Sequence, residues 1–237
     1  MNLLLLQAED LDDAGHAIIR GRRFDHIAKV IKPAIGDTLK TGLLNGNSGR
    51  ATIATLARDH VRLINLELND APEPSLPLVL LLALPRPKML RRILRTVATL
   101  GVETLYLINS YRVEKSYWQS PFLEAAAIEQ QLLLGLEQAG TTCMPRVSLR
   151  QRFKPFVEDE LESIAADGGR FVAHPGASAA LPVAFNAPAT IAIGPEGGFI
   201  PYEVGKLEEH GFQVVNLGKR ILQVETAISA IISRMYI

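Results

Sequence analysis

Seven consecutive apolar residues, Leu78-Val79-Leu80-Leu81-Leu82-Ala83-Leu84, restrict what this chain can fold into more than any other feature. A strand with one wet face needs polar residues at alternate positions, and none is present here. This strand must therefore be covered on both faces. Helices packed on both sides of a mostly parallel sheet provide that cover. The run is far too short to cross a bilayer. The residues behind it fit the same scheme. A helix is predicted from Pro87 to Leu100, with proline in its first turn and Gly101 at its end. Further strands are expected at 104–108, 146–149, 170–174, 189–193 and 213–217, and helices at 121–139, 155–166, 201–210 and 225–236. Strands alternating with helices predict an α/β domain with a parallel sheet.

Ahead of that domain, Asn69-Asp70-Ala71-Pro72-Glu73-Pro74-Ser75-Leu76-Pro77 carries three prolines, which continue neither a helix nor a central strand. A linker is placed at 71–77, between a first domain over 1–70 and a second over 78–237. The first domain reads as short strands joined by turns. Met1 to Gln7 is an edge strand, Arg22 to Lys32 a short helix, and Thr38–Leu44, Ala51–Ala57 and Val61–Leu68 are strands. Asn45-Gly46 forms a hairpin turn, since both residues tolerate positive φ. Such a pattern suggests a small barrel.

Composition sets the remaining bounds. Lys plus Arg and Asp plus Glu number 25 each, so overall charge draws the chain to no polyanion, and any contact with nucleic acid must rest on local stripes. The single cysteine, Cys143, excludes a disulfide scaffold and points to a reducing cytoplasm. The N-terminal apolar stretch lacks a basic leader and runs into Glu9 and Asp10, so no signal peptide is expected. The five histidines show no metal-ligand spacing, so no metal is expected.

Two segments carry the chemistry. In Ile193-Gly194-Pro195-Glu196-Gly197-Gly198-Phe199 an apolar strand ends in a glycine-rich loop before a helix. It is either a ligand loop at the carboxyl end of a sheet strand or a tight turn that binds nothing. It lacks the Lys-Ser or Lys-Thr of a phosphate-binding loop and the Gly-x-Gly-x-x-Gly of a dinucleotide site. A carboxylate at Glu196 would repel a pyrophosphate and suits cationic groups or ribose hydroxyls. The second segment is Leu217-Gly218-Lys219-Arg220-Ile221-Leu222-Gln223-Val224-Glu225-Thr226-Ala227, a strand end, a loop and a helix start. Ile221 and Leu222 are suited to the apolar wall of an adenine pocket, and Glu225 by itself reads as a partner of the helix dipole. His174, at a strand end before Pro175-Gly176, stands near the same presumed pocket.

A basic stripe completes the reading. Lys88, Arg91, Arg92 and Arg95 share one helix face, with Arg86 just ahead and no acid between residues 74 and 102. That face suits phosphate contact as well as solvation. Arg20, Arg22, Arg23, His26, Lys29 and Lys32 form a second cluster in the first domain. Tyr111, Arg112, Lys115, Tyr117 and Trp118 form an aromatic and basic loop, suited to clamping single-stranded bases or to packing a partner subunit.

Taken together, the two segments in this order near the carboxyl end resemble the RsmE-type methyltransferases, members of the SPOUT class, which modify N3 of a uridine in small-subunit (16S) ribosomal RNA. The resemblance spans nearly the whole chain. In the first domain, His26, Val30, Gly36-Asp37 and Asn45-Gly46 resemble the family's PUA-like barrel. The resemblance implies a trefoil knot in the α/β domain, a cytoplasmic homodimer and S-adenosyl-L-methionine as cofactor. Ribosomal RNA or the small ribosomal subunit is the implied partner, with no membrane and no metal. It assigns cofactor contact to Gly194, Glu196, Gly197, Gly198, Leu217, Gly218, Ile221 and Leu222, and handling of the target base to Arg220 and Glu225. RNA contact is expected at Arg22, Arg23, Lys88, Arg91, Arg92, Arg95 and Arg112. The chain departs from the family pattern at Lys32, Ala98-Thr99, Tyr111, Thr141 and Gln223, mostly on the presumed RNA side. Two other readings remain at this point: the same chemistry on another RNA such as tRNA, and an RNA-binding assembly factor without catalysis.

Overall fold

A computed structural model describes residues 2–165 and 167–237. The chain divides into two compact units, one holding the residues up to Pro74 together with Leu133–Met144, the other Ser75–Leu132 with Pro145–Ile237.

The first unit is a five-stranded sheet of β1 (Leu4–Leu6), β2 (Ala17–Arg20), β3 (Thr38–Leu43), β4 (Ser48–Leu56) and β5 (His60–Asp70), with the helix α1 (Gly21–His26) after β2. Its strand order is β1-β3-β4-β5-β2, antiparallel except for the parallel pair β1 and β3. The sheet wraps around an apolar cluster that includes Leu4, Leu6, Ile19, Ile27, Ile53, Val61 and Leu63. Alternation builds that core. In β5, Val61 and Leu63 are buried and Arg62 between them is exposed. Asn45 makes the expected turn between β3 and β4, at φ 58°. β1 lies at the sheet edge as expected, yet all three of its residues are buried. β2 gives no sign in the sequence, being only four residues long.

Residues 133–144 belong to this unit, and two contacts explain why. Asn2 and Leu3 donate backbone N–H groups to the Glu137 carbonyl at 2.8 and 3.1 Å. Arg22 grips the Glu137 carboxylate with both guanidinium nitrogens, at 2.6 and 2.9 Å. The neighbouring Arg23 holds Asp10 in the same two-pronged way, at 2.6 and 2.7 Å, and also donates to the Leu5 carbonyl. In the basic cluster expected to meet RNA, the two central arginines thus each hold a carboxylate partner. Their charge is spent on carboxylates that are themselves buried, Glu137 and Asp10, because a buried carboxylate needs such a partner.

The second unit contains β6 (Leu76–Ala83), α2 (Pro87–Thr99), β7 (Val102–Ile108), the start of α3 (Ala125–Ala139) and β8 (Arg146–Arg150). The short helices α4 (Phe153–Pro155) and α5 (Leu161–Ile164) follow, joined through Phe156–Glu160. Then come β9 (Gly169–Ala173), β10 (Ala179–Ala180), β11 (Ala189–Ile193), α6 (Pro201–Glu209), β12 (Gln213–Asn216) and α7 (Val224–Tyr236). Seven strands form one parallel sheet in the order β10-β12-β9-β11-β6-β7-β8. β11 lies between β6 and β9, and all five of its residues are buried, as a strand with covered faces requires. α2 buries Leu90, Ile93, Leu94 and Val97 and packs against α7, which buries Val224, Ala227, Ile228, Ile231, Ile232 and Met235. The opposite face of α2 exposes Lys88, Arg91, Arg92 and Arg95.

Strand order decides where a ligand can sit. The chain runs outward from β6 to β7 and β8, then crosses to β9 on the other side, and β11 later fills the gap between β6 and β9. The direction of travel reverses there, which opens a crevice at the carboxyl ends of the strands. Parallel register brings the ends Ala173 of β9 and Ile193 of β11 side by side, with Val215 of β12 paired to Ala173.

Candidate functional site

A cavity of about 280 Å³ lies at those strand ends. Three loops wall it: Ala173-His174-Pro175 after β9, Ile193 to Gly198 after β11, and Leu217 to Val224 after β12. Its size approaches that of clefts holding cofactor-sized molecules, roughly 300–1,000 Å³. Of the residues expected to touch a cofactor, Gly194, Glu196, Gly198, Leu217, Gly218, Ile221 and Leu222 line it, whereas Gly197 does not. Arg220 is on the wall and Glu225 is not. Among the described residues no ion pair joins Arg220 to Glu225. Glu225 lies in the first turn of α7, where a carboxylate faces the positive end of the helix dipole.

Each loop glycine answers a separate physical demand. A Cβ on Gly194 would stand 2.8 Å from the Phe199 nitrogen and 3.1 Å from the Gly198 carbonyl carbon, both backbone atoms with nowhere to go. Gly198 has φ +72°, closed to most side chains. Gly197 is covered by Arg112, whose Cδ would lie 3.0 Å from an added Cβ and whose guanidinium donates to the Gly197 carbonyl. Arg112 therefore braces the outside of the glycine-rich loop.

Two side chains that the sequence does not single out hold the loops in place. Glu203, on the first turn of α6, is 2% exposed. Its carboxylate accepts from Tyr111 N at 2.7 Å, Ile200 N at 3.0 Å and Ser110 Oγ at 3.1 Å. It thereby ties the turn after β7 to the segment that closes the glycine-rich loop. Asn216 does the same on the other side. Its amide donates to the Ala177 and Ala179 carbonyls at 2.6 and 2.9 Å and accepts from Gly218 N at 2.9 Å. Both read in sequence as ordinary polar residues at element ends, and only the three-dimensional neighbours give them a role.

A second, more open hollow of about 700 Å³ adjoins the first. It shares Pro175, Gly218, Arg220 and Ile221 with the cavity and adds Asn216 and Lys219. One cation, Arg220, thus borders both spaces. His174 lines the cavity and its Nδ1 donates to the Pro175 carbonyl at 2.8 Å, which fixes the ring beside the wall. On the rim, Arg86 approaches Glu196 at 3.7 Å, with both side chains well exposed. On α2, Arg95 donates to Gln131 at 2.8 Å and Arg91 lies 5.2 Å over the Phe122 ring. Among the described residues no group of three or more His, Cys, Asp or Glu side chains is placed to hold a metal ion, and no helix is long and apolar enough to cross a membrane.

Comparison with known proteins agrees with this geometry. The family model for the RNA methyltransferase domain matches residues 72–236. Ribosomal RNA small subunit methyltransferase E of Treponema pallidum (strain Nichols) is 30% identical over 240 residues, covering 97% of this chain and 88% of that protein. The crystal structure of a ribosomal RNA small subunit methyltransferase E from Neisseria gonorrhoeae, bound to S-adenosyl methionine, has a TM-score of 0.77 at 20% identity and covers 98% of this chain and 95% of its own. A Legionella pneumophila structure in complex with the bound cofactor SAM has a TM-score of 0.73 at 21% identity, over 98% and 94% of the two chains. A family match across the whole α/β domain and a relative aligned over nearly the full length place this chain in the RNA methyltransferase family, among those of the RsmE type.

Proposed function

We propose that this protein methylates N3 of a uridine in the 16S RNA of the small ribosomal subunit, with S-adenosyl-L-methionine as donor. The observation that carries the proposal is the cavity at the reversal of strand order, walled by the two loops that define the family resemblance. Its residues fit that cofactor. Ile193, Leu217, Leu222, Val224 and Ala227 give apolar walls suited to a purine, and Glu196 suits ribose hydroxyls or an amino group. Gly194, Gly198 and Gly218 bring bare backbone to the wall. The cofactor, when bound, supplies a sulfonium methyl that is already activated. The protein's part is then alignment of the two reactants.

The target base enters from the open hollow, and Arg220, bordering both spaces, offsets the negative charge the uracil ring gains as its N3 proton leaves. We assign the acceptance of that proton to the second ring nitrogen of His174, on the cavity wall. Glu225 serves the helix start. RNA contact is assigned to Lys88, Arg91, Arg92, Arg95 and Arg112, whose side chains reach solvent, and not to Arg22 and Arg23. The finer architecture belongs to the same reading: a PUA-like barrel in the first unit and a homodimer working in the cytoplasm. The reading also includes a trefoil knot around α7. In support of the knot, the segment between β10 and β11 is fastened to the end of that helix, through Ala184 N to the Arg234 carbonyl at 2.8 Å and Arg234 Nε to the Leu181 carbonyl at 2.7 Å.

The test is transfer of labelled methyl to small ribosomal subunits, naked 16S RNA and tRNA, each from cells lacking this gene. Label in a ribosomal substrate, mapped to uridine N3, is expected. Label only in tRNA moves the target, and cofactor binding without transfer makes the protein an assembly factor. Arg220→Ala is expected to lower turnover while leaving cofactor affinity within a few-fold of the parent.

A further inference from the structure

We infer that Tyr111 is a stacking platform for an unpaired RNA base, beside the glycine-rich loop that walls the cavity. The inference rests on the RNA methyltransferase reading above and extends it to a residue at which this chain departs from its family's pattern. Tyr111 stands in a turn closed by the Val113 N–H bonding to the Ser110 carbonyl at 3.0 Å, and it is 79% exposed. An exposed aromatic ring at a loop tip is ordinarily a cost, since it gains nothing from burial and its backbone is free to move.

Here the backbone is not free. The Tyr111 N–H is held by Glu203 at 2.7 Å, the preceding Ser110 hydroxyl by the same carboxylate at 3.1 Å, and the following Arg112 by the Gly197 carbonyl. The ring is thus wet while its anchor is clamped from both sides, by a buried acid and by the glycine-rich loop. A platform that is ordered in advance loses little entropy when a base lands on it.

Its surroundings select the partner. Arg112, next in the chain to Tyr111, donates to the carbonyl of Gly197, which lies between the cavity-lining Glu196 and Gly198, so the turn is tied to the outside of the glycine-rich loop. β6 and β7 pair in parallel with Ala83 opposite Ile108, so the exposed Arg86 and Arg112 follow neighbouring strand ends. An exposed π-face next in the chain to an exposed arginine suits a base with its phosphate. A second copy of this chain would instead call for a continuous apolar patch, and Ser110 is buried while Arg112 and Glu114 beside the ring are exposed charges.

The experiment measures binding of a fluorescein-labelled single-stranded uridine decamer and of small ribosomal subunits, in parallel with S-adenosyl-L-methionine binding by calorimetry and sedimentation of each variant. Tyr111→Ala and Tyr111→Leu are expected to weaken decamer binding about five- to a hundredfold, the span of one base stack. Tyr111→Phe and Tyr111→Trp should keep it, and cofactor affinity and sedimentation should not move in any of the four. Equal binding by Tyr111→Ala, or rescue by Leu as complete as by Phe, overturns the stacking role. A change of association state in Tyr111→Ala also overturns it and gives the ring to a contact between copies. A parent protein that binds cofactor but neither RNA probe fails the functional reading itself, and the inference falls with it.

Discussion

Replacing Glu203 by alanine tests how the site is held together. The carboxylate is 2% exposed and accepts three hydrogen bonds, from Tyr111 N, Ile200 N and Ser110 Oγ. Ser110, 1% exposed, has a hydroxyl that can turn toward another acceptor, but the two backbone donors cannot turn. Each buried donor left without a partner costs about 1–3 kcal/mol. Removing a buried charge returns part of that through relieved desolvation, so a net loss of about 2–4 kcal/mol is expected. With a urea slope of about 2–3 kcal/mol per molar, the midpoint of the second unit falls by about 0.7–2 M at unchanged slope. Glu203→Gln keeps the shape but turns an amide group toward one donor, and about half that loss is expected. A double-mutant cycle with Ser110→Ala should return a coupling of about 0.5–1.5 kcal/mol. Because the clamp also holds the segment after the glycine-rich loop, affinity for S-adenosyl-L-methionine should fall in step with stability. A Glu203→Ala protein whose midpoint stays within about 0.2 M of the parent would refute the reasoning, since a loss that small leaves no room for two stranded backbone donors.

Three further outcomes follow from the same contacts. Gly194→Ala sets a Cβ 2.8 Å from the Phe199 nitrogen, so calorimetry should show cofactor affinity lowered roughly tenfold or more, whereas Gly205→Ala in α6, with nothing within 4 Å, should be neutral or stabilising. Arg22→Ala strands the Glu137 carboxylate, whose side chain is 3% exposed, and should cost about 1–3 kcal/mol in urea unfolding, reduced from the full cost of a buried pair because Arg22 is itself 45% exposed. Equal stability with weakened RNA binding would return Arg22 to the RNA surface. Burial pushes the Tyr236 hydroxyl, which donates to the Ala187 carbonyl at 2.9 Å, from its ordinary 10.0 up to about 12. The folded state then keeps a proton that the unfolded chain loses, so stability is complete below pH 10.0 and declines toward about 12. Tyr236→Phe should flatten that decline in unfolding midpoints measured across the window.

Much of the fold could be read because its signals are local. A strand covered on both faces announces itself as an unbroken apolar run, as at Leu78–Leu84, and α2 shows its buried face through spacing alone. Elements of two to four residues, β10 and β2, carry too few side chains for any period to emerge. The two loops of the site were legible for a related reason. Three glycines within five residues, Gly194, Gly197 and Gly198, mark a loop where side chains have little room, and at Gly198 the backbone has the positive φ that favours glycine.

What the sequence could not supply is every fact that depends on two distant residues meeting. Arg22 and Arg23 look like the centre of a basic patch until Glu137, 115 positions away from Arg22, and Asp10 are brought to them. Glu203 looks like a surface acid on a helix until β7 carries Ser110 and Tyr111 to it across 92 or more positions. The sequence by itself determined the types of the longer elements and the residue types available in the loops, because propensity, periodicity and turn geometry act over a few residues. The tertiary structure alone decided that β11 enters between β6 and β9, that residues 133–144 join the first unit and that Arg220, not Glu225, borders the cavity. Strand pairing and buried ion pairs are chosen by what the whole chain can bury at once, and no local pattern encodes that choice.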